Sequence, residues 1–254
     1  MNTVIKISRE DIIWSLKDYF FGISFIWACW LGWSDANNES DDFSDIDMYF
    51  SVWDENIESF FPEVVDRLTK LWRLDYISEI ITEGNQTGQL YHIAGTSDNL
   101  LIEIWCIPQS HGMMFEEWHP AFKPKILFDK ENIIQFKPFQ EAELQKQTER
   151  LLIKQKDLVA WYGRRDVYIR RNNYIEATNY YIKFTFMPLV EVLRIKYTPR
   201  LLGWWRIHIS RHFPQDIVVQ LEQLMQFQSV QDIEKNMKIA QEWFWNVVEE
   251  IEAK

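Results

Sequence analysis

The chain has 254 residues, 47% of them hydrophobic, which is enough for one large core or two modest ones without disulfide staples. Its formal net charge of -11 disfavours a general affinity for phosphate backbones, so a nucleotide has to be met by local positive charge. The two cysteines, Cys29 and Cys106, lie inside apolar runs, which suits buried reduced thiols and argues against a sulfur-built metal clamp. Residues 1–11 carry Lys6, Arg9, Glu10 and Asp11 and lack the apolar region of a secretory signal, so a cytoplasmic location is expected. Apolar positions Ile12, Ile13, Leu16, Tyr19 and Phe20 recur at helical spacing and predict an amphipathic helix over 10–25. The apolar stretch 19–33 is shorter than the roughly 20 residues a membrane span requires. It reads as the end of that helix followed by a buried strand over 26–33.

A polar loop over 34–44 and a second strand over 46–53 follow. A helix is predicted over 61–71, then a segment over 74–83, a Gly-Asn turn, and strands over 89–94 and 99–107. This is the pattern of a mixed sheet with helices beside it. After Pro138 the character changes: 141–161, 174–197 and 215–250 show helical spacing with hardly any strand signal, and Pro188 is expected to kink or split the middle helix. The expected fold class is therefore α+β, with a mixed-sheet domain over 1–139 and an all-α helical bundle over 140–254. Most of the 13 tryptophans are expected in packing rather than on a ligand.

Acidic residues crowd the segment 35–47. Because strand side chains alternate, Asp45 and Asp47 project to one face while Ile46 and Met48 face the core. Two like charges that close are costly unless a cation stands between them, and hard divalent cations prefer carboxylate oxygens. A third carboxylate, Glu103, sits in the otherwise apolar run Asn99-Leu100-Leu101-Ile102-Glu103-Ile104-Trp105-Cys106-Ile107. It is either an edge-strand glutamate facing water or a partner of the two aspartates. The five histidines, His92, His111, His119, His208 and His212, lack zinc-site spacing and pair with no serine or cysteine nucleophile.

The run Gly32-Trp33-Ser34-Asp35-Ala36 through Ser44-Asp45-Ile46-Asp47-Met48 resembles the nucleotidyltransferase superfamily that includes bacterial aminoglycoside adenylyltransferases. That pattern joins Gly-Ser, a polar loop and Asp-hydrophobic-Asp-hydrophobic. Looser similarity continues through 126–131, where Asp129 reads as a turn residue, and through Arg164-Arg165-Asp166 and Lys196-Tyr197-Thr198-Pro199. The resemblance implies catalysis and metal binding by Asp45, Asp47 and Glu103, two magnesium ions, and ATP as nucleotide donor. It implies phosphate contacts from Gly32 and Ser34, with Lys183 as the candidate cation, beside Lys196, Arg164 and Arg165. Trp33 stands where a second glycine is expected.

The activity implied is transfer of AMP from ATP to a hydroxyl of a small acceptor, of which aminoglycosides, and hence antibiotic resistance, are the suggested class. The expected partners are a nucleoside triphosphate and that acceptor, without membrane or nucleic acid. Two other readings stay open: an antitoxin that places AMP on a partner protein, and a silent nucleotide-binding protein, the latter motivated by Trp33. A short likeness of Arg206 and His212 to ribonuclease toxins with a related helical domain is a further alternative.

Overall fold

The computed structural model describes residues 7–37, 39–117, 123–202 and 207–253, with the side chains of 162–165 outside that description. Two compact units divide the chain, Met1–Phe139 and Gln140–Lys254. The first begins with helix α1 (Arg9–Phe21), strand β1 (Ile26–Leu31), the one-turn helix α2 (Trp33–Ala36), β2 (Ile46–Val52) and α3 (Ile57–Leu71). It continues with β3 (Leu74–Ile77), β4 (Ile81–Glu83), β5 (Gln86–Ile93), β6 (Ile102–Pro108), β7 (Met113–Glu116), β8 (Lys125–Asp129) and β9 (Ile134–Lys137). Seven strands form one sheet in the order β3-β5-β6-β2-β1-β8 with β4 paired to β5, while β7 and β9 form a separate pair. β2 and β6 run parallel and their outer neighbours antiparallel, so the large sheet is mixed.

Local chemistry accounts for the starts and stops. Ser8 caps α1: its hydroxyl accepts the Asp11 amide, and the Asp11 carboxylate accepts the Ser8 amide at 2.9 Å. The predicted helix over 10–25 is shorter in fact, because Gly22 closes it. The predicted strand over 26–33 also stops early, at Leu31, since Trp33 already opens α2 with a left-handed φ of 47°. Helix α3 begins four residues before the predicted 61, at Ile57, and the segment 74–83 resolves into the short strands β3 and β4. Asp129 ends β8, and its carboxylate accepts the amides of Ile133 and Ile134 at 2.9 and 3.0 Å, which turns the chain into β9.

One face of the sheet buries Ile46, Met48, Phe50 and Val52 of β2 and Ile102, Ile104 and Cys106 of β6 beneath α1 and α3. Phe20, Phe50 and Phe60 meet there, with ring centroids 4.9 to 5.2 Å apart. Both cysteines are free and buried.

The described elements of the second unit are helical: α4 (Glu141–Ala160), α5 (Tyr162–Arg170), α6 (Tyr174–Tyr181), α7 (Met187–Tyr197), α8 (Ile209–His212), α9 (Gln215–Leu224) and α10 (Val230–Glu252). The predicted helix over 174–197 is interrupted by one π-helical turn, Ile182–Phe186, where the Met187 amide bonds Ile182 instead of a residue one nearer. Pro188 follows at the start of α7 and has no amide to donate, so the widened turn absorbs the missing bond. The predicted helix over 215–250 is two helices, with Ser229 capping the second through the Asp232 amide. Among the described residues, no helix is long and apolar enough to cross a membrane.

Because Phe20 is fully buried between two other phenylalanines, Phe20→Ala should cost about 3–5 kcal/mol. Urea denaturation of the two proteins measures this.

Candidate active site

The opposite face of the same two strands carries the polar residues. In the parallel register Asp47 of β2 lies beside Glu103 of β6, and Ile46 and Met48 pair with Ile102 and Ile104 on the core side. Asp45 precedes the strand by one residue, as the predicted start at 46 has it, and its carboxylate meets that of Asp47. One carboxylate oxygen each from Asp45, Asp47 and Glu103 lies within 4.8 Å of the others. β6 is flanked by β5 and β2, so Glu103 is not on an edge strand.

Asp47 is 7% exposed, and Asp45 and Glu103 are half-buried. Burial first, then the charges of Asp45, Glu103 and Asp35, push the Asp47 carboxyl from its usual 3.8 to about 7, with Arg9 pulling the other way. Burial also raises Glu103, an effect that the indole hydrogen bond from Trp105 opposes and Asp45 and Glu83 reinforce. Three hard oxygen donors, crowded enough to hold a proton at neutral pH, fit divalent cations. The Arg9 guanidinium whose field reaches Asp47 is itself engaged elsewhere.

Arg9 grips both oxygens of the buried Asp35, one at 2.8 Å, and donates to the Asp45 carbonyl at 2.7 and 3.1 Å. The start of α1 thereby fastens α2 and the residue that leads into β2. The Gly32 amide donates to the Asp47 carbonyl at 3.0 Å, and a Cβ on Gly32 would stand 2.8 Å from the Tyr49 ring. Glycine is thus required there by the close approach of Tyr49. Trp33 holds the left-handed conformation that a glycine would adopt freely, and its indole donates to the Tyr49 hydroxyl at 3.2 Å. Ser34 follows, half-buried in α2.

The other sequence candidates lie in the second unit. Lys183 is exposed on the π-helical turn, its ammonium 5.2 Å from the Phe184 ring. Lys196 is paired with Glu250. The side chains of Arg164 and Arg165, together with His119 and Arg206, lie outside the described residues, so the Arg206–His212 likeness has no geometry here. His92 sits in β5 with its ring nitrogens 2.6 Å from Asp75 and 3.0 Å from the Ser97 carbonyl, a structural bracket. Arg9, Asp35 and Tyr49 were not singled out from sequence. Arg9 lies 26 residues from its partner Asp35 and no motif links them, whereas Tyr49 could have been found by continuing the alternation from Asp47.

Two outcomes follow. Arg9→Met leaves the buried Asp35 charge unpaired and should cost about 3–5 kcal/mol, with part restored by adding Asp35→Asn; equal stability of all three proteins in urea refutes the latch. For Asp47, the folded value of about 7 lies above the usual 3.8. The native state therefore holds the extra proton between those values, and stability without divalent cations falls as pH rises from about 4 to about 7. The fall is on the order of 4 kcal/mol. Asp47→Asn should flatten that slope in chelator and be the more stable protein at pH 8, as urea midpoints across pH would report.

No protein-family model and no curated protein matches the chain. Among solved structures it is similar to an aminoglycoside 6-adenyltransferase from Bacillus subtilis, at 14% identity and a TM-score of 0.35, over 96% of this chain and 90% of that one. Likeness at that level transfers no activity, and the chemistry has to come from the carboxylates themselves.

Proposed function

We propose that the chain is a metal-dependent nucleotidyltransferase that moves AMP from ATP to a hydroxyl of a small molecule. The observation that carries this reading is the convergence of Asp45, Asp47 and Glu103 within 4.8 Å on one face of the sheet, with Asp47 held near neutrality by burial and its neighbours. Asp45, Asp47 and Glu103 would hold magnesium, as two ions in the family that the motif resembles. When bound, such ions neutralise charge on the triphosphate and on the acceptor oxygen.

The chain's own groups orient and accept protons. Glu103 takes the proton of the acceptor hydroxyl as its oxygen bonds to the α-phosphorus, and the bond to the bridging oxygen breaks to release pyrophosphate. Gly32 and Ser34, on the turn tied to Asp47 through the Gly32 amide, are assigned to the phosphates. The left-handed conformation kept by Trp33 supports a working loop over a silent one. An acidic chain of net charge -11 suits a polycationic acceptor, and aminoglycosides are that class.

The test is pyrophosphate release from ATP and magnesium across a panel of aminoglycosides and other hydroxylated acceptors. Acceptor-dependent release is expected, abolished by chelator and lowered at least 100-fold in Asp47→Asn. Release only with a protein acceptor replaces the small molecule by a polypeptide, the AMPylating antitoxin reading. Nucleotide binding without release under any condition sinks the transferase.

A further inference from the structure

Two residues along β6 from Glu103, on the same face, stands Trp105, only 8% exposed. Its indole N–H points back along the strand and donates to Glu103 Oε2 at 3.4 Å. An indole offers a donor and no acceptor, so this contact selects one oxygen of the carboxylate and cannot reverse. The ring reaches that position by lying across β5 at Gly88, its partner in the antiparallel register. A Cβ on Gly88 would stand 2.4 to 2.6 Å from three atoms of the ring, Cε3, Cδ2 and Cζ3, so no other residue leaves the seat open. A glycine inside a strand weakens it. Here it is matched to the largest side chain on the neighbouring strand.

We propose that Trp105 is a positioning residue for Glu103: it holds Oε2 through the indole and so fixes the orientation of the carboxylate that converges with Asp45 and Asp47, with Gly88 as its seat. The inference rests on the metal-dependent reading above and adds to it the group that aims the third carboxylate. Without the indole the carboxylate rotates freely about its last torsion, and an ion bound by the three groups has to order it on arrival. Partners that orient metal-binding side chains typically contribute about 10–100-fold in affinity or activity.

The experiment uses the full chain with magnesium or manganese alone, following the thermal midpoint as the cation is titrated without nucleotide. Trp105→Phe keeps the ring and removes the donor. Its cation midpoint should rise about tenfold, and in the transferase assay kcat should fall while the KM for ATP changes little. In a Glu103→Gln background, Trp105→Phe should have no further effect on the cation midpoint, since its action passes through Glu103. Gly88→Ala, which keeps the indole but displaces it, should repeat the weakening and serves where the Phe variant does not fold. An unchanged cation midpoint in a folded Trp105→Phe protein overturns the positioning role, even if stability in chelator falls. An unchanged midpoint in Glu103→Gln overturns the metal-site reading itself, a result separable from the first.

Discussion

The parallel pairing of β2 with β6 is the constraint on which the rest of this site depends. It sets Asp47 beside Glu103, an arrangement that mutual repulsion opposes. What holds it is the other side of the same two strands, where Ile46, Met48, Phe50, Ile102, Ile104 and Cys106 are all fully buried under two helices. Slipping either strand by one residue would relieve the carboxylates, but it would also turn that entire apolar set to the opposite face. Core packing and electrostatic strain are therefore two faces of a single register, and the strain is what makes the site receptive to protons and cations.

The strand ends are held by a different device. Arg9 is the first residue of α1, and it satisfies both the carboxylate of Asp35 and the carbonyl of Asp45. A single guanidinium with donors in a fixed fork can join a helix start, a one-turn helix and the entry to a strand at once, which a lysine could not. Tyr49 supplies a second tie: its ring fills the space that Gly32 leaves open and stacks on Trp30 at 5.7 Å, while its hydroxyl accepts from Trp33. The polar turn after β1 is thus pinned from the sheet as well as from α1.

The second unit shows the same economy in its interior. Arg194 is fully buried on α7, where it donates to the Ile207 carbonyl at 2.5 Å and lies near Glu191, whose carboxyl is raised by burial. Its hydrocarbon stem packs where an aliphatic residue would. Nothing in the apolar spacing of that helix distinguishes Arg194 from a surface charge, because periodicity reads position on a face and not whether a neighbour supplies an acceptor.

What the sequence determined by itself was local and periodic. The helical spacing of α1, the alternation of β2, the lone carboxylate in an apolar β6 and the shift from strand to helix patterns after Pro138 follow from side-chain geometry within a few residues. Element ends were less legible. Trp33 breaks a strand that its hydrophobicity would extend, and the π-helical turn before Pro188 arises because a missing amide can be absorbed by widening the helix as well as by kinking it. Only the tertiary structure decided that β6 lies next to β2 with Glu103 opposite Asp47, that Arg9 closes on Asp35, and that Gly88 sits under Trp105. Those are contacts between residues far apart in the chain, set by strand order and register, and no spacing along one segment encodes which segment will pair with it.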